Sequence, residues 1–151
     1  IFVYAFKNFG AYIVDTNTNI SSKLLIKPSK SLKLIGSGGT KGIPENYRQS
    51  ILNNLKINTE RLFIGSAGIE TIMLAKNEIQ FIFHGRVTPW DHSPMNLITK
   101  EAGGCVYMAI NKNEFDIKSK GSILAASNLQ TWNNIRNLII PSDDPYRKYK
   151  N

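Results

Sequence analysis

Cysteine is almost absent from this 151-residue chain: Cys105 is the only one. No internal disulfide can form, and a reducing cytoplasm is the expected compartment. Long apolar runs are missing too. No stretch approaches the ~20 residues that a helix needs to cross a bilayer, so no membrane span is expected. No basic-then-apolar leader opens the chain, and a start at Ile1 reads as an interior cut. Acidic residues are scarce, with 11 Asp and Glu against 19 Lys and Arg and a formal charge of +8. Such a balance raises nucleic acid as a partner. Yet the cations are scattered singly, their densest group (Arg147, Lys148, Lys150) lies near the C-terminus, and no basic stripe with interleaved aromatics exists. No nucleic-acid partner is therefore expected.

What is present reads as one compact globular domain with 42% hydrophobic residues. Ile1 to Val14 is strand material broken by a turn at Asn8-Phe9-Gly10. Asp15 to Ser22 reads as a polar connection, and Lys23 to Ile26 as a short strand stopped by Pro28. Leu32 to Ile35 is predicted as a strand running into a flexible loop, Gly36-Ser37-Gly38-Gly39. Pro44 opens a helix whose apolar face carries Tyr47, Ile51, Leu52 and Leu55. A strand over Arg61–Ile64 then turns at Gly65, where Ser66 can cap a helix with Ile69, Ile72, Met73 and Lys76 at helical spacing.

A buried strand over Ile79–Phe83 leads to His84-Gly85. Asp91 caps a third helix, with Pro94 in its first turn, Leu97, Ile98 and Ala102 facing inward, and Gly103-Gly104 at its end. Strands over Cys105–Ala109 and Ser122–Ala126 and a helix over Leu129–Leu138 complete the pattern, with Cys105 as a core residue. The predicted fold is α/β: an alternating strand and helix layer over residues 31–140, preceded by a β segment of a second sheet over 1–30 and followed by a polar, loosely held tail over 141–151.

Four groups stand out chemically. Asp91, behind a rigid Pro89-Trp90 at a helix start, would present a fixed hard-oxygen donor of the kind Mg²⁺ takes, or would merely cap the helix. Gly65-Ser66-Ala67 turns a strand into a helix and leaves N–H groups pointing outward, a natural hydroxyl or phosphate site, or a plain tight turn. His84, seven residues before Asp91, would meet a substrate hydroxyl or phosphate, or lie on the surface. His92, directly after Asp91, is expected to be solvent-exposed, with a role behind a site residue as the other reading. Glu101 follows Asp91 by ten residues of helix, ~15 Å at 1.5 Å per residue, too far for a shared metal; structural hydrogen bonds suit it better. Gly36-Ser37-Gly38-Gly39-Thr40-Lys41 lacks the ordered Gly-Lys-Ser/Thr of a phosphate loop.

Pro89-Trp90-Asp91 followed by Glu101-Ala102-Gly103-Gly104 resembles the signature of the inositol monophosphatase family of sugar phosphatases. Tyr4-Ala5, Gly10-Ala11-Tyr12, Gly65-Ser66-Ala67 and Ile123-Leu124-Ala125-Ala126-Ser127-Asn128 fall in the family's order, so the resemblance covers roughly Phe2 to Leu138. It implies that Asp91 is a catalytic Mg²⁺ ligand touching the substrate and that Gly65, Ser66 and Ala67 line the substrate pocket. His84 would be a substrate-binding residue where inositol-specific members carry Glu, which points to another phosphate ester. The resemblance further implies a layered sugar-phosphatase fold and a homodimer.

The chain departs from the family pattern twice more. Ser93-Pro94-Met95 stands where a small pair and Gly are usual, so Met95 would bring bulk to the helix start. The upstream Glu and the Asp-Pro-Ile/Leu-Asp-Gly-Thr loop, which supply most metal ligands, do not occur in these residues. The resulting expectation is the C-terminal portion of a Mg²⁺-dependent phosphomonoesterase of small phosphorylated alcohols or sugars, inactive as this chain alone. The alternative is a degenerate, non-catalytic homologue acting as a binding protein.

Overall fold

A computed structural model describes residues 1–28 and 33–150. Three strands, β1 (Phe2–Phe6), β2 (Gly10–Asp15) and β3 (Ile20–Leu24), form an antiparallel meander in the order β1-β2-β3. The expected turn at Asn8-Phe9-Gly10 joins the first two, with Asn8 and Gly10 at φ 69° and 96°. The third strand begins earlier than predicted. Register pairing of Asp15 with Ile20 carries the meander through Ser21 and Ser22, which the polar composition had assigned to a connection.

The remaining elements alternate: β4 (Ile35–Gly39), α1 (Glu45–Asn58), β5 (Glu60–Leu62), α2 (Ala67–Ala75), β6 (Phe81–His84), α3 (Pro89–Glu101), β7 (Cys105–Met108), β8 (Ile123–Ala126) and α4 (Leu129–Ile139). Their strands make a mixed sheet in the order β5-β4-β6-β8-β7. β4 runs parallel to both neighbours, while β8 is antiparallel to β6 and β7. The mixed α/β architecture with a separate N-terminal sheet agrees with the sequence reading.

Gly36-Ser37-Gly38-Gly39 is no loop; it is most of β4. Composition misleads here because the glycines serve close packing. A Cβ at Gly36 would collide with the Phe81 ring, and one at Gly38 would lie 3.0 Å from Leu55. Leu32, the predicted start of this strand, lies outside the described residues.

Two apolar cores flank the five-stranded sheet. On one face Ile82, Val106, Ile123 and Ala125 pack with Leu74 and Ala75 of α2, Met95 and Ala102 near α3, and Ala11 and Leu24 of the meander. On the other face Phe81, Phe83, Leu124 and Ala126 pack with Ile51 and Leu55 of α1 and with Trp132, Ile135 and Ile139 of α4. The order of layers is therefore meander, α2 with α3, five-stranded sheet, α1 with α4. Glu101 bridges the first two layers: its carboxylate accepts from the N–H groups of Asn8 (2.7 Å) and Gly10 (2.8 Å), a structural role as expected.

The tail is not loose. Pro145–Lys148 form a 3₁₀ turn capped by Asp144, and Tyr146 is buried against Tyr47. Arg147 Nε donates to the Ile140 carbonyl at 2.6 Å. A polar segment is held here because one large aromatic side chain enters the core. Cys105 is half-buried in β7, and burial pushes its thiol up to about 11, so it behaves as a neutral packing group. Among the described residues no helix is long and apolar enough to cross a membrane.

Candidate active site

The connections decide where a cleft opens. From the C-terminal end of β4 the chain turns into α1 on one face of the sheet; from the adjacent end of β6 it turns into α3 on the opposite face. Adjacent parallel strands whose connections leave to opposite faces open a crevice at their carboxyl ends, the place where open α/β sheets bind ligands. A cleft of about 450 Å³ lies there. Its walls include Gly65, Ser66, Ala67, His84 and Asp91, so the residues singled out from sequence converge on one cavity.

Asp91 does not cap α3. The helix begins at Pro89 with Thr88 as its N-cap, and Asp91 occupies the first turn. Its exposed carboxylate accepts from the Thr88 hydroxyl through Oδ2 at 2.7 Å, while among the described residues no hydrogen bond involves Oδ1. The earlier start puts Pro94 in the second turn, not the first, on the exposed side. The inward face is also displaced: His92, Met95 and Thr99 are buried, while Leu97 and Ile98 are only half-buried. Met95 points into the core beside α2 and lines a smaller cavity that shares Asp91 with the cleft, but it does not line the cleft itself and adds no bulk to its walls.

Ser66 caps α2 as predicted, its hydroxyl accepting from Ile69 N–H at 3.4 Å. Gly65 at φ 73° makes the turn into the helix. The buried face of α2 is Glu70, Thr71, Leu74 and Ala75, one position round from the predicted face, and Ile69 is exposed. Glu70 is thus a buried acid on the floor of the cleft, and sequence reading passed over it. A signal existed: it is the one charged residue between Ala67 and Ala75.

Glu70 organises the floor. Its Oε1 accepts from the Ser37 hydroxyl at 2.7 Å, and its Oε2 lies 2.6 Å from His84 Nε2. His84 Nδ1 is 2.9 Å from His92 Nε2, and His92 Nδ1 is 3.0 Å from Thr88 N. His92 Nδ1 lies 3.0 Å from both the N–H and the carbonyl of Thr88, so the tautomer sets which of the two it meets, while His84 Nε2 faces the Glu70 carboxylate. Burial pushes the Glu70 carboxyl up, but the His84 and Ser37 hydrogen bonds and the charge of His84 outweigh it, leaving the group below the usual carboxylate range. For His92 burial dominates and holds the imidazole below its ordinary value, against the opposing pull of its Thr88 contact.

His92 was expected in solvent and is instead 3% exposed. Apolar packing against Phe115 and the two histidine contacts replace water around it. His84 is no surface histidine either: its side chain is 19% exposed and both ring nitrogens are bound within the protein.

The donors for a metal ion are incomplete within this chain. Among the described residues no group of three or more His, Cys, Asp or Glu could hold one. Asp91 offers a free carboxylate oxygen of the type Mg²⁺ prefers, which fits one corner of a site. Glu70, the other acid of the cleft, is engaged with Ser37 and His84.

No curated protein matches the chain. Among solved structures, an inositol monophosphatase from Anabaena (Nostoc) sp. PCC 7120 superposes with a TM-score of 0.70 at 17% identity, over 94% of this chain and 55% of that one. The Thermotoga maritima IMPase gives 0.68 at 22% identity, over 91% and 50%. Mycobacterium tuberculosis SuhB gives 0.68 at 20%, over 93% and 54%. The chain therefore spans about half the length of these proteins, and at such identities the likeness concerns the fold. The model of the inositol monophosphatase family matches residues 2–141, and with that match over nearly its whole length the chain belongs to the inositol monophosphatase family.

Proposed function

We propose that the intact protein is a Mg²⁺-dependent phosphomonoesterase acting on a small phosphorylated alcohol or sugar. The observation that carries this reading is the convergence of Asp91, His84 and the Gly65–Ala67 turn on one cleft at the carboxyl ends of parallel strands, in a chain of a phosphatase family. Asp91 would contribute one carboxylate to the metal and sit against the substrate. Among the described residues no complete ligand set is found, so in this reading the remaining metal ligands lie elsewhere and these residues alone should not turn over substrate. When bound, Mg²⁺ supplies charge neutralisation at the phosphoryl oxygens and a water of lowered pKa.

The chain's own residues bind and orient. The first N–H groups of α2, beyond the Ser66 cap, have no helical partners and favour an anion or a substrate hydroxyl. Gly65 brings backbone close to the ligand without a side chain in the way; a Cβ there would meet nothing within 4 Å. Thr88 holds Asp91 in place by the hydroxyl bond. His84, fixed between Glu70 and His92, contributes its ring to the cleft wall and accepts a ligand hydrogen bond only by giving up an internal one. A homodimer in the cytoplasm, with no nucleic-acid partner, belongs to the same reading.

The test is phosphate release by the intact protein under Mg²⁺ titration, with Asp91→Asn beside the wild type. Loss of a metal carboxylate should lower kcat/KM by roughly 100-fold or more, the size of several kcal/mol of lost charge stabilisation. Activity within a few-fold of wild type would overturn the assignment of Asp91.

A further inference from the structure

Asp91 stands where an acid at a helix start is usually tied up. α3 opens with Thr88-Pro89-Trp90-Asp91, an N-cap Thr followed three positions on by an acid. In a capping box that acid reaches back to the N–H of the cap residue, while the cap hydroxyl accepts from the acid's own N–H. Among the described residues neither bond is made at this helix. The Thr88 hydroxyl caps no N–H and donates to Asp91 Oδ2 at 2.7 Å. The Thr88 N–H faces the His92 ring, with Nδ1 at 3.0 Å. His92 thus stands at the donor that would otherwise draw the Asp91 carboxylate onto the helix end.

What holds the His92 ring there lies deeper. His92 is 3% exposed, and its Nε2 is 2.9 Å from His84 Nδ1. His84 Nε2 is 2.6 Å from Oε2 of Glu70, itself buried, whose Oε1 accepts from the Ser37 hydroxyl. One line of side chains therefore runs from β4 through α2 and β6 to the start of α3.

The direction of that line is set at its acidic end. The Glu70 carboxyl lies below the usual carboxylate range, and an ionised carboxylate can only accept, so a neutral His84 carries its proton on Nε2. His84 Nδ1 then accepts, His92 carries its proton on Nε2, and His92 Nδ1 accepts from the Thr88 N–H. The other tautomer of His92 would turn an N–H toward the Thr88 carbonyl, also at 3.0 Å, and release the Thr88 N–H. A buried carboxylate costs desolvation that an apolar side chain on α2 would avoid. Fixing two histidine tautomers is work that needs an acceptor at this position.

We propose that Glu70 is a positioning residue for Asp91: acting through His84 and His92, it keeps the Thr88 N–H occupied and one Asp91 carboxylate oxygen open to a divalent cation. This deepens the phosphatase reading and rests on it for what the cation does.

The experiment uses the intact protein and its Glu70→Leu and Glu70→Gln variants, labelled with ¹⁵N-histidine. Signals of residues 84 and 92 are assigned by their loss in His84→Gln and His92→Gln. At about pH 8.5, two units above the ordinary imidazole value, both wild-type rings should be neutral and protonated on Nε2. In Glu70→Leu that bias should disappear, with His92 shifting toward Nδ1–H. The Kd of the Mg²⁺ site that Asp91→Asn removes, read by calorimetry, should rise about ten-fold or more, the scale of losing an outer partner of a metal ligand. Glu70→Gln, isosteric and able to donate as well as accept, covers the case of a Leu variant that does not fold and should show the same two changes, smaller in size.

An imidazolium at His84, or His92 protonated on Nδ1, in the wild type overturns the proposal. So does a folded Glu70→Leu protein with the wild-type tautomers or the wild-type Mg²⁺ affinity, since a merely structural Glu70 would lower the melting temperature and leave both unchanged. If the wild type binds Mg²⁺ and releases phosphate from no ester, the phosphatase reading fails by itself, and tautomers and affinity still decide the role of Glu70. A wild type that binds no Mg²⁺ overturns both.

Discussion

Each of the two sheets of this molecule contains strongly apolar strands, and the sheets are covered differently. In the five-stranded sheet Phe81, Ile82 and Phe83 of β6 and all four residues of β8 are buried, because helices pack on both faces. In the meander β1 is just as apolar, Phe-Val-Tyr-Ala-Phe, yet only Val3 and Ala5 turn toward a core. Phe2 and Phe6 stand 58% and 62% exposed, and on the outer face Tyr4 stacks on Phe2 and Tyr12 and meets Phe6 edge-on, a ladder of rings. A continuous apolar run signals burial on both faces only when something covers both faces. The cleft belongs to the fully covered sheet. Its strand ends are therefore rigid, and side chains such as His84 and Ser37 are held from below.

Breaking the covered sheet should have the largest effect. Phe81→Ala removes a ring with no solvent exposure and should cost about 3–5 kcal/mol, lowering the melting temperature by roughly 10 °C for a chain of this size. Gly36→Val attacks the same contact from the other strand, since its Cβ would strike the Phe81 ring; overpacking of this kind costs about 1–3 kcal/mol. The two substitutions should be strongly non-additive in a double-mutant cycle read by thermal denaturation. Additive losses would mean that the Phe81 carbonyl, 2.5 Å from a Cβ at position 36, and not the ring, keeps that position a glycine.

The link between the sheets gives a smaller and pH-dependent effect. Hydrogen bonds from the Asn8 and Gly10 N–H groups hold the Glu101 carboxyl below its ordinary value. A depressed folded-state pKa contributes stability above the unfolded value, about 4.3, and that contribution disappears as pH falls through the folded value. Glu101→Gln should therefore melt below wild type at pH 7, and the gap should close as pH drops below about 4. A gap that stays constant with pH would show that the bonds to the β1–β2 turn do not depend on the charge.

Much of this fold was legible in the chain because apolar periodicity and turn residues agreed with it. Pro44, Ser66 and Gly103-Gly104 marked helix ends that the structure keeps within a residue or two. The failures share a physical cause: composition was read where packing decides. Gly36 to Gly39 looked like a loop because glycine usually marks one, yet here it admits Phe81 and Leu55. Tyr146 turned a polar tail into part of the core. In the cleft, Asp91, His84 and Gly65–Ala67 were legible through a family pattern. Glu70 and His92 were not, since nothing in a linear spacing tells that Glu70 and His84, fourteen residues apart, meet at 2.6 Å.

The smallest effect expected is on the uncovered face, and it sharpens the comparison from the other side. Phe6 lies on β1, whose neighbour Ala5 packs inward, so substitution at 6 leaves the core untouched. Removing an exposed aromatic forfeits its contact with Tyr4, rings 5.6 Å apart, and little else. Phe6→Ser should change stability by no more than about 0.5 kcal/mol, the usual range for surface positions, while reducing exposed apolar area and hence self-association. Denaturant unfolding and light scattering on one preparation separate the two readouts. A loss of 2 kcal/mol or more, on the scale of burying a whole Phe side chain, would mean that the ladder is covered in solution, and the contrast between the two sheets would then vanish.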